Sequence, residues 1–157
     1  MADVGVVYTL TTPGTDITFN QYTEPFTGHD QFYITEIRGL EGPSIRAPQD
    51  PVPLGSGALV HTFYYGATHI TIEGVIIADS PTTMNGIVVV RNSMTASLKS
   101  ALNAILAADG SLSWTPQGGS VQTVNGLRYE VPLQMPHTSD YRALEFSFGL
   151  VTGTPYS

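Results

Sequence analysis

The sequence contains no cysteine. That excludes a disulfide framework, thiolate-bound zinc, iron–sulfur clusters and a cysteine nucleophile. Charge is also scarce: Asp, Glu, Lys and Arg make up 12% of the residues, against about 25% in an ordinary soluble protein. The shortage is sharpest for cations, with 6 Lys and Arg against 13 Asp and Glu and a formal charge of -7. A protein held to nucleic acid by phosphate contacts needs clustered Lys and Arg to displace condensed counterions, and no two basic residues are adjacent here. Long apolar runs are missing too. The longest uncharged stretch, Pro51 to Ile72, is interrupted by Pro53, glycines and two histidines, which suits strands and not a membrane helix. Met1 to Leu10 carries Asp3 and no basic n-region, so it does not read as a secretory signal. No G-x-S-x-G elbow, Walker loop, H-E-x-x-H or EF-hand pattern occurs.

What is present points to a compact β-rich domain. Ser and Thr number 31, more than all the charges, so the polar surface is built mainly from hydroxyls. A hydrophobic fraction of 41% with 6 Phe, 8 Tyr and 1 Trp is ample for a core. Strands are expected over Val4 to Leu10 and Ile17 to Phe19, split by the turn signal Pro13-Gly14, and over Phe32 to Ile37. Ala58 to Tyr64 and Thr68 to Ala78 read as a hairpin turning at Tyr65-Gly66-Ala67. Asn125-Gly126, the favoured type I′ pair, precedes the alternating strand Leu127 to Met135. Leu144 to Leu150 alternates in the same way. Between the early strands, about residues 39–57, four prolines mark a long irregular loop.

One helix is expected at about residues 81–108, with Ser80 as its cap, Pro81 at the first position and Gly110 ending it in the left-handed region. Met84, Ile87, Val88, Met94, Leu98, Ala101, Leu102, Ile105 and Leu106 form its apolar stripe. Gly86 followed by four β-branched residues is poor helix material, so a short strand with the helix starting near Asn92 stays open. The opposite face carries Asn85, Val89, Asn92, Ser93, Ala96, Lys99, Asn103, Ala104 and Ala107. Its low charge suits either a neighbouring subunit or a merely polar, solvated face. Arg91 projects into the apolar stripe and is expected to have a partner, since an unpaired buried guanidinium is costly.

Candidate chemistry is thin. His61 and His69 flank the Tyr65 turn, but two imidazoles fall short of the three or four ligands that zinc takes, so ordinary strand histidines are the simpler reading. Glu36 with Glu41, or Glu130 with Glu145, could converge as carboxylate pairs only through tertiary folding. Tyr64, Tyr65 and Trp114 offer a sugar-stacking platform, against the commoner role of aromatics in strand packing. Gly55-Ser56-Gly57 lacks the lysine of a phosphate loop. No catalytic residue, cofactor or metal is expected.

The order of strands, long loop, hairpin, helix and closing strands resembles the ring domain of the distal tail proteins of long-tailed phages. The stretches that carry the resemblance are FYITEIRGLEGPSIR, YYGATHITIEGVIIADS, RNSMTASLKSALNAIL with DGSLSWTP, LRYEVPLQMP and ALEFSFGLVTGTP, together spanning residues 32 to 155. The resemblance implies a mainly β fold, a β-sandwich or barrel-like domain related to the tail tube with one flanking helix. Residues 1–157 are then a single tail-ring domain with no C-terminal carbohydrate-binding domain. It also implies a non-enzymatic virion protein, assembled in the host cytoplasm into a homo-oligomer, a hexameric ring. Its partners are the tail tube protein and the hub or fibre proteins of the tip, and DNA passes through without specific binding. No membrane is involved. Expected subunit contacts are Leu40, Ile45, Arg46 and Leu54 in the long loop and Val89, Ala96, Lys99 and Asn103 on the helix. A small carbohydrate-binding sandwich, a tail-tube subunit and an unrecognised hydrolase are the alternatives.

Overall fold

The computed structural model describes residues 6–22, 28–40, 45–46, 49–51, 58–60, 64–65, 68–135 and 143–152. The elements are β1 (Tyr8–Thr11), β2 (Ile17–Phe19), β3 (Gln31–Arg38), β4 (Ile45–Arg46), β5 (Gln49–Pro51), β6 (Ala58–Val60), β7 (Tyr64–Tyr65), β8 (Thr68–Ile77), α1 (Met84–Ala104), β9 (Gly110–Trp114), β10 (Gln122–Gln134) and β11 (Ala143–Thr152). Seven strands close a barrel in the order β1-β2-β3-β8-β11-β10-β9. The expected mainly β fold with one helix is what forms, as a closed barrel.

Alternation decides which side chains point inward. In β8, Ile70, Ile72 and Ile76 are buried while His69, Thr71, Glu73 and Val75 face outward, and β11 turns Phe146, Phe148 and Leu150 to the same interior. Phe19 sits among three other rings, 6.0 Å from Phe32, 6.3 Å from Phe146 and 6.5 Å from Phe148. The helix adds Leu98, Ala101, Leu102 and Ile105 to this core.

An odd number of strands cannot alternate in direction all the way round, so one pair must run parallel, and that pair is β2–β3. The seam has a single registered pair, Phe19 with Phe32. Beyond it, side-chain amides do the work of a ladder. Asn20, in the left-handed region at φ 59, donates its N–H to Phe32 O at 2.8 Å, and its Oδ1 accepts from Ile34 N at 2.7 Å. The Gln31 amide brackets the Tyr22 backbone, accepting from its N–H at 3.2 Å and donating to its carbonyl at 3.4 Å. Both side chains are buried.

Several local expectations change. The hairpin turn at Pro13-Gly14 is as expected, joining β1 to β2. Asn125-Gly126 is not a hairpin turn. It lies inside β10, where Val124 pairs with Leu112 and Leu127 with Gly110, so β10 spends one more residue than β9. Gly126 at φ 68 takes the bulge position that only glycine adopts freely. The β9–β10 turn falls earlier, around Gly118. The helix starts at Met84 without a preceding strand, capped by Thr83, whose side chain accepts from Gly86 N, and not by Ser80. Ser80 instead donates its N–H to Asp30 at 3.0 Å. The helix ends at Ile105, and Gly110 opens β9 under the Ile105 side chain instead of capping the helix. Met84 and Leu106, expected in the apolar stripe, are exposed.

β8 is flanked by β3 and β11, so the expected pairing of Ala58 to Tyr64 with Thr68 to Ala78 does not form. Instead Ile45 pairs with Tyr65, Arg46 with Tyr64, and Gln49 to Pro51 with Val60 to Ala58, as two separate two-stranded antiparallel ladders. The region read as a long loop thus carries an antiparallel arm.

Two substitutions test this construction. Asn20→Ala removes the acceptor for a buried N–H and keeps the unfavourable φ, so it is expected to cost about 1–3 kcal/mol in urea unfolding, while Asn20→Gly, which relieves the backbone, costs less. Gly39 sits at φ 95 with an added Cβ only 1.9 Å from the His69 carbonyl oxygen. Gly39→Ala is therefore expected to lower the melting temperature by more than Gly28→Ala, whose Cβ would meet nothing within 4 Å.

Candidate functional site

Among the described residues, no group of three or more His, Asp or Glu stands close enough to hold a metal ion. No helix among them is long and apolar enough to cross a membrane. The depressions on the surface are shallow and open. One of about 330 Å³ lies over Gly74, between Glu73 and Glu145. Another, of about 400 Å³, is lined by Val7, Thr9, Ser113, Trp114, Thr115 and Val121. The candidate site is therefore the outer surface of the barrel and helix.

Ionic contacts are concentrated on one side. Arg38 reaches Glu36 at 3.7 Å and Glu73 at 3.3 Å, holding apart the repulsion between two carboxylates directly opposite in the β3–β8 register. His69 Nδ1 donates to Glu130 Oε1 at 2.9 Å, spanning β11 to join β8 to β10. Arg128 pairs with Asp109 at the end of the α1–β9 connection. All are substantially exposed.

Of the carboxylate and histidine pairs considered from the sequence, only Glu130 with Glu145 lies wholly among the described residues, and it does not assemble. Glu130 is engaged by His69, while Glu145 lies opposite Val75 in the β11–β8 register; Glu41 and His61 lie outside the described residues. Trp114 is buried, packed 6.0 Å from Tyr8, so it presents no sugar-stacking face. Tyr64 and Tyr65 are placed only by their backbone pairing.

The expected contact residues fall into two groups. On α1, Val89, Ala96, Lys99 and Asn103 are all exposed, on the face away from buried Ile87, Leu98, Ala101 and Leu102. Arg91, in the apolar stripe, is half-buried and engaged. In the arm region, Leu40 is partly buried against the barrel core, Ile45 and Arg46 belong to the β4–β7 ladder, and Leu54 lies outside the described residues.

No protein-family model and no curated protein matches the chain. A solved structure does: the Dit protein (gp 19.1) of phage SPP1, described as a paradigm of the hub adsorption apparatus in phages infecting Gram-positive bacteria. The match has a TM-score of 0.53 at 14% identity and covers 92% of this chain. This chain spans about half of the SPP1 chain, 49% of it. The two share a fold.

The His69–Glu130 pair is expected to contribute little to stability, because both side chains are exposed to water and counterions. A double-mutant cycle with His69→Ala and Glu130→Ala should return a coupling under about 1 kcal/mol, smaller still in high salt.

Proposed function

We propose that this chain is a non-enzymatic structural protein of a phage tail, forming a ring at the distal end that joins the tail tube to the tip. The observation that carries this reading is the fold shared with SPP1 Dit over 92% of this chain. Copies of the chain are its first partners, with the tube on one side and hub or fibre proteins on the other. Its working location is the virion tail.

Physical features support the same reading. An isolated two-stranded hairpin is marginal in water, and the β4–β7 and β5–β6 ladders are two-stranded sheets separate from the barrel. Contact with a neighbouring copy would add packing to them. That role includes Leu40, Ile45, Arg46 and Leu54 in the arm region, with Val89, Ala96, Lys99 and Asn103 on the helix. The side of the barrel carrying Glu36, Glu73, Glu130 and Glu145 suits the wall of a DNA passage, because carboxylates repel phosphate and let the duplex slide.

Negative-stain imaging of the purified chain tests the proposal: closed rings are expected, long filaments would select a tube subunit, and lone globules that bind glycans would select a carbohydrate-binding module. Ala96→Arg is expected to abolish rings with an unchanged melting temperature, because the added guanidinium projects into the subunit contact and not into the core.

A further inference from the structure

Charge is divided sharply around the barrel. Strands β1, β2 and β9 contain no charged residue, and neither do the first six residues of β10. The charged residues of the barrel strands, Glu36, Arg38, Glu73, Arg128, Glu130 and Glu145, all lie on β3, β8, β11 and the C-terminal part of β10. Because β2, β1, β9 and β10 are consecutive in the barrel, the uncharged segments form one continuous wall. The pairings Thr18–Thr9, Thr9–Ser113 and Ser113–Thr123 set four hydroxyl side chains in one row across it. Beside that row Val7 and Val121 are 41% and 65% exposed, at the rim of the depression over Trp114.

We infer that this wall is a seat for a second copy of the chain, and that the outer face of the neighbour's α1 occupies it. The inference rests on the ring reading above and names the two surfaces that meet. Three observations support that occupant. Charged residues are depleted from the cores of protein interfaces, and the strand segments of the wall have none, Asp16 and Asp109 standing just outside the ends of β2 and β9. Each copy carries a formal charge of -7, so copies repel unless they meet where the carboxylates are absent; a contact through the charged side would set Glu36, Glu73 and Glu145 against another acidic molecule. The exposed face of α1 is chemically matched to the wall. It offers Val89 and Ala96 to the exposed valines, Asn92 and Asn103 as amide partners for the hydroxyls, and a single cation, Lys99. Because wall and helix are different surfaces, the contact is head-to-tail. It repeats from copy to copy, as ring closure requires.

The absence of native cysteine makes the test clean. A disulfide forms only between Cα atoms about 4.4–6.8 Å apart, so Ser113→Cys combined with Ala96→Cys should yield a ladder of covalent oligomers on mild oxidation. Thr71→Cys with Ala96→Cys, whose first site is on the charged side, should not. Ser113→Arg should abolish assembly at an unchanged melting temperature, and Thr71→Arg should leave it intact. Rings that form without the Ser113–Ala96 ladder, or in which a cysteine at Ser113 still reacts freely with a small maleimide, overturn the inference and leave the ring reading standing. A chain that stays monomeric under every condition overturns both.

Discussion

Closure of the barrel depends on one constraint of parity. With seven strands, one neighbouring pair must break the antiparallel alternation, and the β2–β3 seam carries that burden with a single registered pair. A short parallel contact has few ladder bonds to offer, yet the backbone groups along it are buried and need partners. Asn20 and Gln31 meet the need, since a primary amide carries both a donor and an acceptor and can stand in for a peptide group. Asn is also among the few residues besides Gly that tolerate a left-handed backbone. The same side chain therefore turns the chain and closes the sheet.

The latch continues outward from the seam. Asp30, just before β3, accepts the N–H groups of Asp79 and Ser80, and Asp79 in return accepts the N–H of Gly28 at 2.8 Å. These bonds fix the chain between β8 and α1 and so set where the helix begins. From there the helix runs to its C-terminal end, where the Ile105 carbonyl accepts from Tyr129 N at 3.1 Å. The face left outside carries Val89, Ala96 and Asn103, whose positions follow from the seam as much as from helical periodicity.

How much of this was legible in the sequence depended on whether the signal was local. Strands whose alternation reports burial, such as Leu144 to Leu150, were readable, as was the helical stripe at Leu98, Ala101 and Leu102. The outward placement of Val89, Ala96, Lys99 and Asn103 followed from the same periodicity. Local signals misled where two structures share one chemistry. Asn-Gly serves a hairpin turn and a glycine bulge equally well, and only the partner strand decides between them. Thr83 and Ser80 are both competent caps; the choice fell to Thr83 because Asp30, distant in sequence, had engaged Ser80. The seam itself was invisible, because nothing near Asn20 announces that β3 will lie beside it.

The uncharged wall was hidden for a related reason. Its segments, Tyr8–Thr11, Ile17–Phe19, Gly110–Trp114 and the start of Gln122–Gln134, are scattered along the chain, and a few uncharged residues in a short strand attract no notice. Overall composition recorded the scarcity of charge but not its placement. Only when the barrel sets these segments side by side does scarcity become a surface. In a protein stabilised chiefly by its apolar interior, outward-facing strand residues are free to vary, and charge there favours solubility. A whole wall without it is the surface proposed above as the seat for a second copy, and on that proposal the barrel's closure and its partition of charge belong together: the interior holds the fold, the charged strands meet water, and the uncharged strands meet the neighbour.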